Sequence, residues 1–503
     1  MKQATFEFEN ELPKLSAKVA SKPAGYKGLY AFHKYWGKKP HEILGFLIET
    51  LTEPEGIVVD PFVGSGVCAR EATIRKRRFI GVDISPLAIQ LSSLMVHPPE
   101  YADLKSAMRQ VEKTCRQRIL DSYALEDGGV ATHYLWNESE LQQVWTRSSN
   151  GSARDERIPT AFDRMLIDSF STSARLAVRA PRFFTNSRIN AKPAMGWDDL
   201  LTRRAQVNLG ILMTAIAESP ELIRPSLELC LTAAAGQMTK MVFAVSGRGK
   251  KTGKTSTKVE VGSWVIGYWR PKVHFEVNVW NCFLRRTNKL LKATQSLDES
   301  RSPVCHSIDD VVSAKSACAL MEGDALTQLQ QLPAGSVELV ITDPPHSDRV
   351  PYLELSEFWN SLLDKPVDFD DEVVISNAKE REKSESVYVN SMQALLAETA
   401  RVLKPNGFLV VLFNSVNSSD WEIFREVCNP ENELLRLLGS FPCKYSAGSV
   451  VQDNRAGALE NDVGLVFGRR ESELDTKMQL RQLERLPGWC EQDLSQLAGN
   501  KSN

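Results

Sequence analysis

A short apolar run that ends in one acidic residue and two prolines, within residues 337–346, constrains the fold most strongly. Its apolar part, Leu339–Ile341, is rich in β-branched side chains and is typical of a buried strand of a parallel sheet. Asp343 follows, and Pro344 and Pro345 fix the backbone and remove two N–H donors. The segment therefore predicts a stiff turn of hydrogen-bond acceptors at the carboxyl end of a strand, where open α/β sheets bind ligands. Such a turn suits a neutral amino group, whose N–H bonds it can hold.

Residues 57–66 favour a binding site over the simpler interpretation of a strand and a tight turn, which an Asp-Pro pair alone would indicate. Here a predicted strand ends in Asp60, and a turn with Gly64 and Gly66 opens a predicted helix. Glycines let the backbone approach a ligand closely, and a helix N-terminus favours polar or anionic groups. The next predicted strand ends in Asp83, which is placed to accept hydrogen bonds from ribose hydroxyls. The pattern indicates a nucleoside-bearing ligand, but it lacks the glycine spacing of dinucleotide sites.

Four motifs resemble those of the S-adenosylmethionine-dependent DNA amino-methyltransferases of bacteria. Residues 60–66 and 81–86 resemble the cofactor motif of that family. Residues 343–346 resemble its catalytic motif, which has Asp, Asn or Ser, then two prolines and an aromatic residue. Residues 33–40 resemble the segment that precedes the cofactor motif, and residues 323–325 resemble the acidic motif of the third strand, which receives the cofactor's adenine.

The resemblance extends over residues 26–100 and 318–468 and implies roles for individual side chains. The implied cofactor is S-adenosylmethionine, and the residues implied to bind it are Trp36, Lys38, Asp60, Phe62, Gly64, Gly66, Asp83 and Asp324. The implied catalytic residues are Asp343, Pro344, Pro345 and His346. His346 departs from the family pattern, which usually has Tyr, Phe or Trp there, so that an imidazole would have to stack on the base. Packing of Trp36 on the first helix is the alternative for that residue.

The predicted elements and the resemblance together imply an α/β fold, with a doubly wound, Rossmann-like methyltransferase sheet and a large inserted mixed α/β domain. The stretch between the second and third strands is too long for a loop and must be structured. The expected divisions are an N-terminal lead-in at residues 1–25, the first part of the methyltransferase domain at 26–131, an inserted target-recognition domain at 132–318, the second part of the methyltransferase domain at 319–470 and a polar tail at 471–503.

Two local predictions concern Trp197–Ala217 and residues 380–385. In the first segment, apolar residues such as Leu209 and Ile216 recur at helical spacing, which predicts one continuous helix with a core-facing stripe. The second segment is highly charged, and we expect it to be mobile and to close over a substrate.

The net charge of −2 hides an uneven distribution of charged residues. Lys and Arg outnumber Asp and Glu between residues 141 and 300, whereas the rest of the chain is acidic. A basic block in an acidic chain predicts contact with a polyanion, although a solvated surface is the alternative. The candidate contacts to double-stranded DNA are Arg248, Lys250, Lys251, Lys254, Arg270 and Lys272. The tryptophans nearby either stack on bases or fill a small β core, and they are Trp264, Trp269 and Trp280.

Several classes of protein and site are disfavoured by the sequence. No apolar run reaches membrane-spanning length, and the first residues lack the apolar core of a signal peptide. Nine scattered cysteines without a Cys-x-x-Cys pair argue against a zinc site and against a disulfide framework. We therefore expect a cytoplasmic protein with no metal and no membrane partner.

The function that these observations predict is transfer of a methyl group from S-adenosylmethionine to the exocyclic amino group of a base flipped out of double-stranded DNA. Adenine N6 is favoured over cytosine N4 because Asp343 begins the catalytic motif. Site-specific action within a restriction-modification or defence system, with a cognate restriction or defence protein, stays open. Two alternatives also stay open. One is an RNA amino-methyltransferase that acts on guanine or adenine, and the other is a catalytically impaired DNA-binding or cofactor-sensing protein, which the unusual His346 suggests.

Overall fold

The computed structural model describes residues 25–147, 154–245, 259–264, 267–297, 301–415, 418–428, 434–444, 461–469 and 481–491. Its strands are β1 (Ile57–Asp60), β2 (Arg78–Asp83), β3 (His133–Asn137), β4 (Glu140–Arg147), β5 (Arg154–Arg157), β6 (Ala244–Val245), β7 (Glu260–Val261), β8 (Val273–Val277), β9 (Val304–Cys305), β10 (Cys318–Glu322), β11 (Val337–Thr342), β12 (Leu403–Phe413), β13 (Leu435–Lys444), β14 (Asn461–Arg469) and β15 (Cys490–Glu491).

Its α-helices are α1 (His41–Leu51), α2 (Val67–Ile74), α3 (Pro86–Val96), α4 (Tyr101–Asp121), α5 (Ala161–Asp168), α6 (Trp197–Leu200), α7 (Arg203–Ala217), α8 (Arg224–Ala235), α9 (Val279–Gln295), α10 (Ile308–Val312), α11 (Ala325–Gln330), α12 (Tyr352–Leu362), α13 (Glu385–Val402) and α14 (Ser418–Val427). Short 3₁₀ helices span Gly28–Ala31, Gly236–Met238 and Lys379–Arg381.

The large sheet has the strand order β15-β13-β14-β12-β11-β1-β2-β10-β9 within the described residues. The strands from β12 to β9 are parallel, whereas β14, β13 and β15 each pair antiparallel to their neighbours. From β1 the chain builds one half of the sheet through β2 and β10, and it builds the other half through β11 and β12. The strand order therefore reverses between β1 and β11, which is the switch point where such sheets bind ligands. This topology confirms the predicted doubly wound α/β sheet.

The central strands are apolar because both faces of the sheet are covered by helices. Val58 of β1 and Leu339 of β11 pack in a core with α1 and α2. Their chain neighbours Val59 and Val340 point to the other face and pack in a core with α11 and α13. Burial on both faces explains why β1 and β11 are continuous apolar runs rather than alternating ones.

The insertion forms a second, antiparallel sheet in the order β5-β4-β3-β8, together with helices α7, α8 and α9. Its hydrophobic core is continuous with side chains of α3, α4 and α12, so the insertion packs directly on helices of the large sheet. A buried ion pair between Arg204 and Glu276, 2.8 Å apart, lies within it. The large sheet resumes with β9, before the expected boundary at residue 318, because Val304 and Cys305 already pair with β10. The division into domains stays a prediction.

The segment Trp197–Ala217 contains two helices, α6 and α7, instead of the single predicted helix. The break lies at Thr202, whose hydroxyl accepts a hydrogen bond from the backbone N–H of Ala205 and so caps a new helix. The apolar stripe itself is confirmed, since Leu209 and Ile216 are buried.

The charged segment 380–385 is anchored, so the expectation of a mobile segment was wrong. Arg381 is buried, and its guanidinium lies 3.0 Å from Glu354 and 2.8 Å from Glu372. The backbone N–H of Thr185, in the insertion, also donates to the carboxylate of Glu380 at 2.6 Å. The composition of this segment is typical of a mobile surface stretch. In the structure, buried carboxylates from other parts of the chain hold it in place.

No helix in the described ranges combines the length and the apolar character needed to cross a membrane. Among the same residues, no group of three or more His, Cys, Asp or Glu side chains is arranged to hold a metal ion.

Candidate active site

A cleft with an empty volume of about 860 Å³ opens at the carboxyl ends of β1, β2 and β11. This volume includes space open to solvent, and the position of the cleft is the switch point of the sheet. Its walls include the strand-end carboxylates Asp60, Asp83 and Asp343. Segments that are far apart in sequence, including Tyr35 and Glu372, complete the walls.

Asp60 ends β1 and is buried against β11. Its Oδ1 accepts hydrogen bonds from the backbone N–H of Phe62, at 3.1 Å, and from the hydroxyl of Thr342, at 2.9 Å. Burial raises the pKa of the Asp60 carboxyl to about 7, although these two hydrogen bonds oppose the rise. The arrangement fixes the Phe62 backbone, so the turn after β1 has one conformation.

Asp83 ends β2 and holds the glycine turn of β1. Its carboxylate accepts hydrogen bonds from the backbone N–H groups of Gly64, at 2.8 Å, and Ser85, at 2.9 Å. Burial raises the pKa of the Asp83 carboxyl to about 6. Gly66 has a φ of +75°, and a Cβ there would lie 2.5 Å from the Cα of Ser92, so only glycine allows this close approach of turn and helix.

Aromatic side chains form one wall of the cleft. Tyr35, Trp36 and Tyr352 all line it, and the rings of Tyr35 and Tyr352 are stacked with centroids 6.4 Å apart. Trp36 packs against Trp359 of α12, with ring centroids 5.1 Å apart, instead of packing on the first helix. The indole N–H of Trp36 is buried and has no hydrogen-bond partner among the described residues.

Lys38 lines the cleft, but its ammonium group bonds to the protein's own backbone. It donates to the carbonyl oxygens of Tyr30, at 3.0 Å, and His33, at 2.7 Å. Burial lowers the pKa of Lys38 to about 7. The side chain therefore stabilises the loop that carries the aromatic wall.

Asp324 does not lie among the residues that line the cleft. Its side chain caps α11 by accepting a hydrogen bond from the backbone N–H of Thr327 at 2.7 Å. The preceding residue, Gly323, is held next to the site because its N–H donates to the carbonyl oxygen of Asp83 at 3.0 Å.

The turn after β11, which carries Asp343, is held by side chains from several elements. Oδ1 of Asp343 lies 2.9 Å from the ammonium nitrogen of Lys39. The carbonyl oxygen of Pro345 accepts hydrogen bonds from the hydroxyl of Tyr388 in α13, at 2.7 Å, and from the N–H of Ser347, at 3.0 Å. Pro345 lines the cleft, whereas Pro344 is buried beneath it.

His346 is buried, with only 7% of its surface exposed, and is not among the residues that line the cleft. Its Nε2 lies 2.9 Å from Oδ1 of Asp343 and 3.3 Å from the carbonyl oxygen of Leu412. Both neighbours are acceptors, so Nε2 carries a proton and donates. The ring meets Phe413 edge-on, with centroids 5.2 Å apart. The expectation that His346 stacks on a flipped base does not fit this position, because protein covers the ring.

The basic candidates of the insertion fall into two groups. Arg270 and Lys272 are exposed, but each has an acidic neighbour: Asp199 lies 2.6 Å from Arg270 and Glu138 lies 3.1 Å from Lys272. The predicted contacts Arg248, Lys250, Lys251 and Lys254 lie outside the described residues.

The tryptophans of the insertion also separate into two classes. Trp264 and Trp280 are buried core residues, whereas Trp269 is 52% exposed beside Arg270. The core interpretation is therefore right for the first two, and Trp269 is the one with a ring face open to solvent.

Four residues of the site were not among the expected ones: Lys39, Tyr352, Glu372 and Asp462. Lys39 and Tyr352 stand in or next to recognised motifs, so a residue-by-residue comparison with those motifs could have found them. Glu372 lines the cleft, accepts a hydrogen bond from the N–H of Leu353 at 2.9 Å, and has its pKa raised by burial. Glu372 and Asp462 are remote from any motif, so only the fold identifies them.

Comparison with known proteins finds a family match for the N-terminal part of the chain. Residues 6–93 match the model of a family described as DNA methylase, the N6 and N4 methyltransferases. No curated protein matches the chain. A solved S-adenosylmethionine-dependent methyltransferase from Agrobacterium tumefaciens is similar at 13% identity over 37% of this chain and 52% of that chain, with a TM-score of 0.17. The chain thus spans about half the length of that structure, and a similarity this low adds nothing to the fold described above. Residues 6–93, which include Asp60, the glycine turn and Asp83, are therefore similar to a family of DNA methylases.

Proposed function

We propose that this chain methylates the exocyclic amino group of a base in double-stranded DNA, with adenine N6 as the favoured acceptor. One observation carries the proposal: the Asp343 turn and the glycine turn of residues 60–66 open into the same cleft. The first supplies hydrogen-bond acceptors for an amine, and the second is suited to a nucleoside. A reaction between the two ligands requires this closeness, since proximity supplies much of the acceleration.

The side chains of the cleft fit S-adenosylmethionine. Each oxygen of Asp83 accepts one backbone hydrogen bond and keeps a further lone pair for ribose hydroxyls. The indole N–H of Trp36 and the hydroxyl of Ser85 are buried, line the cleft and have no partner among the described residues, which suits a polar ligand. Asp60 and Glu372 also line the cleft, and a cationic ligand would favour the ionised form of the Asp60 carboxyl. When bound, the cofactor supplies an electrophilic methyl group on a positively charged sulfur.

Asp343 is the residue placed to hold the acceptor. Its carboxylate would accept an N–H bond from the target amine and stabilise the positive charge that develops on that nitrogen. Tyr388 and Ser347 hold the turn through the Pro345 carbonyl, so the carboxylate does not have to be ordered during the reaction. A base inside a duplex cannot reach this cleft, so the base would leave the stack first.

The insertion is the region proposed to recognise the DNA sequence. Exposed Trp269, with Arg270 and Lys272 beside it, combines a ring for stacking with cations for phosphates. The insertion also contacts helix α12, because the hydroxyl of Tyr268 donates to the carbonyl oxygen of Glu354 at 2.7 Å. Contacts made by the insertion would therefore bear directly on the cleft.

The test is methyl transfer with S-adenosylmethionine labelled in its methyl group. Unmethylated duplex DNA of mixed sequence and total RNA are incubated separately with the purified chain, and their nucleosides are then separated by chromatography. We expect label in N6-methyladenine from DNA. Label in N4-methylcytosine would overturn the adenine preference alone. Label only in RNA would support an RNA methyltransferase, and cofactor binding with no label in either would support a cofactor-sensing protein.

Asp343→Ala is the matched variant for this experiment. It removes the acceptor but leaves Lys39 paired with Asp462, so no buried charge loses its last partner. We expect wild-type cofactor affinity by calorimetry and no methyl transfer. Wild-type transfer by this variant would exclude Asp343 from the reaction. Sequencing of DNA from cells with and without the protein, by a method that detects modified bases, would give the recognition sequence and test the defence role.

A further inference from the structure

The two carboxylate oxygens of Asp343 have different surroundings. Oδ1 lies 2.9 Å from Nζ of Lys39 and 2.9 Å from Nε2 of His346, so two donors share it. Oδ2 lies toward the loop at Gly37, 3.3 Å from the point where a Cβ on that glycine would stand. The hydroxyl of Tyr352 lies 2.9 Å from the same point. Gly37 therefore keeps open a space that Oδ2 and a tyrosine hydroxyl both border.

Lys39 is itself held in place by a second carboxylate. Its ammonium nitrogen lies 2.5 Å from Oδ2 of Asp462, at the start of β14, and only 5% of the Lys39 side chain and none of the Asp462 side chain is exposed. Lys39 thus joins three separate parts of the chain: the loop before α1, the turn after β11, and β14. Lys39 lines the cleft, and an ammonium held from both sides fixes the orientation of the Asp343 carboxylate.

The charges of this group suit an amine that becomes cationic. A lysine paired with Asp343 alone would cancel the negative charge of that carboxylate. Asp462 restores it, because one cation between two carboxylates leaves a net charge of −1 beside the target nitrogen. Other groups near this cluster include Asp60, which lies near Asp343, the buried thiol of Cys443, and His346, which donates through Nε2.

We infer that Lys39, with Asp462 as its counter-ion, is a positioning residue that occupies Oδ1 of Asp343 and so makes Oδ2 the oxygen that accepts the target amino group. This inference rests on the proposed function, because it names the geometry by which Asp343 holds its acceptor. It also gives His346 a role in the same arrangement, as the second donor to Oδ1 rather than as a stacking ring.

The test compares Lys39→Met, Lys39→Arg and Asp462→Asn in the full chain. For Lys39→Met we expect kcat for methyl transfer to fall at least tenfold while the dissociation constant for S-adenosylmethionine changes less than twofold. Lys39→Arg keeps a cation and its donors, so it should recover part of the lost kcat. Asp462→Asn leaves Lys39 and Asp343 as a neutral pair, and we expect a lower kcat with cofactor binding intact.

A matched control separates this role from a general loss of stability. Glu276→Gln breaks the equally buried Arg204–Glu276 pair in the insertion, far along the chain from the cleft. It should lower the melting temperature as the Lys39 variants do, but leave kcat per folded molecule unchanged. If Lys39→Met lowers only the melting temperature, and its folded fraction transfers methyl groups at the wild-type rate, Lys39 is a structural residue and the inference is wrong.

A binding measurement keeps the inference testable if the wild type transfers no methyl group. With S-adenosylhomocysteine present, the affinity for an oligodeoxyadenosine is compared with that for the same oligonucleotide made with purine, which lacks the amino group. We expect the wild type to prefer the amino-bearing base and Lys39→Met to lose that preference. If the wild type transfers no methyl group but still prefers the amino-bearing base, only the proposed function is overturned. A preference that survives in Lys39→Met, or that is absent from the wild type, would overturn the inference.

Discussion

His346 donates a hydrogen bond from Nε2 to Oδ1 of Asp343 across 2.9 Å, within the turn that both residues belong to. Because the ring is buried against Phe413, the imidazole acts on the site through this bond and not through its face. The usual aromatic residue would offer a stacking surface, whereas His346 offers a hydrogen-bond donor to the Asp343 carboxylate.

His346→Phe tests that exchange. The variant keeps a ring against Phe413 and loses the donor, so we expect kcat to fall about 10- to 150-fold, which corresponds to about 1.5–3 kcal/mol for a hydrogen bond to a charged group. His346→Gln retains an N–H donor and should keep more activity than His346→Phe. Steady-state kinetics at saturating cofactor measures both. Faster transfer by His346→Phe than by wild type would show that an aromatic stacks on the base here after all.

The cofactor roles of Asp83 and Asp324 can be separated by calorimetry. Asp83→Ala removes carboxylate acceptors from the cleft and should weaken S-adenosylmethionine binding by about 1.5–3 kcal/mol. Asp324→Ala removes only the cap of α11, so we expect loss of about 1 kcal/mol of folding stability and little change in affinity. Equal affinity losses in the two variants would mean that Asp324 turns into the cleft when the cofactor binds.

Asp60 predicts a pH dependence of stability. Burial raises the pKa of this carboxyl from 3.8 to about 7 on folding, so between about pH 4 and pH 7 the folded chain holds a proton that the unfolded chain has released. The free energy of unfolding of the cofactor-free protein therefore falls as the pH rises through that window, because the folded chain must give up this proton or keep it at increasing cost. Asp60→Asn keeps an oxygen for Phe62 N–H and Thr342 and cannot ionise. Urea denaturation at pH 5 and pH 8 should show a smaller drop in stability for the variant than for wild type, and an equal drop would assign the effect to other groups.

We predict different salt dependences for the candidate DNA contacts Lys250, Lys251 and Lys254 and for the paired cations near Trp269. Replacing Lys250, Lys251 and Lys254 with Ala should weaken DNA binding and reduce the slope of log affinity against log salt by about 0.9 for each phosphate that a lysine no longer neutralises. Lys272→Ala should reduce the slope less, because Glu138 already offsets its charge. Fluorescence titrations at several salt concentrations measure these slopes. An unchanged slope in the triple variant would mean that these three lysines do not contact DNA. Cofactor affinity should be unaffected in every case.

Local order along the chain was enough to predict the sheet and the strand-end carboxylates. An apolar run followed by Asp60 and a glycine turn, or by Asp343 and two prolines, predicts a buried strand that ends in a turn. Such a prediction is possible because strand burial and turn geometry depend on neighbouring residues. The separate helices α6 and α7 were missed because a single threonine cap outweighed a continuous apolar stripe.

What surrounds each carboxylate was decided only by the tertiary structure. Lys39 and Asp462 are 423 residues apart and meet because β14 enters the sheet next to β12, which no local pattern encodes. The place of His346 in the motif predicted a stacking residue, but its ring is buried against β12, where the Leu412 carbonyl oxygen and Asp343 Oδ1 accept hydrogen bonds from Nε2. Sequence determined which groups stand at the strand ends, since that depends on near neighbours. The fold determined which oxygen of Asp343 is occupied, because hydrogen bonds and ion pairs depend on atoms brought together from distant segments.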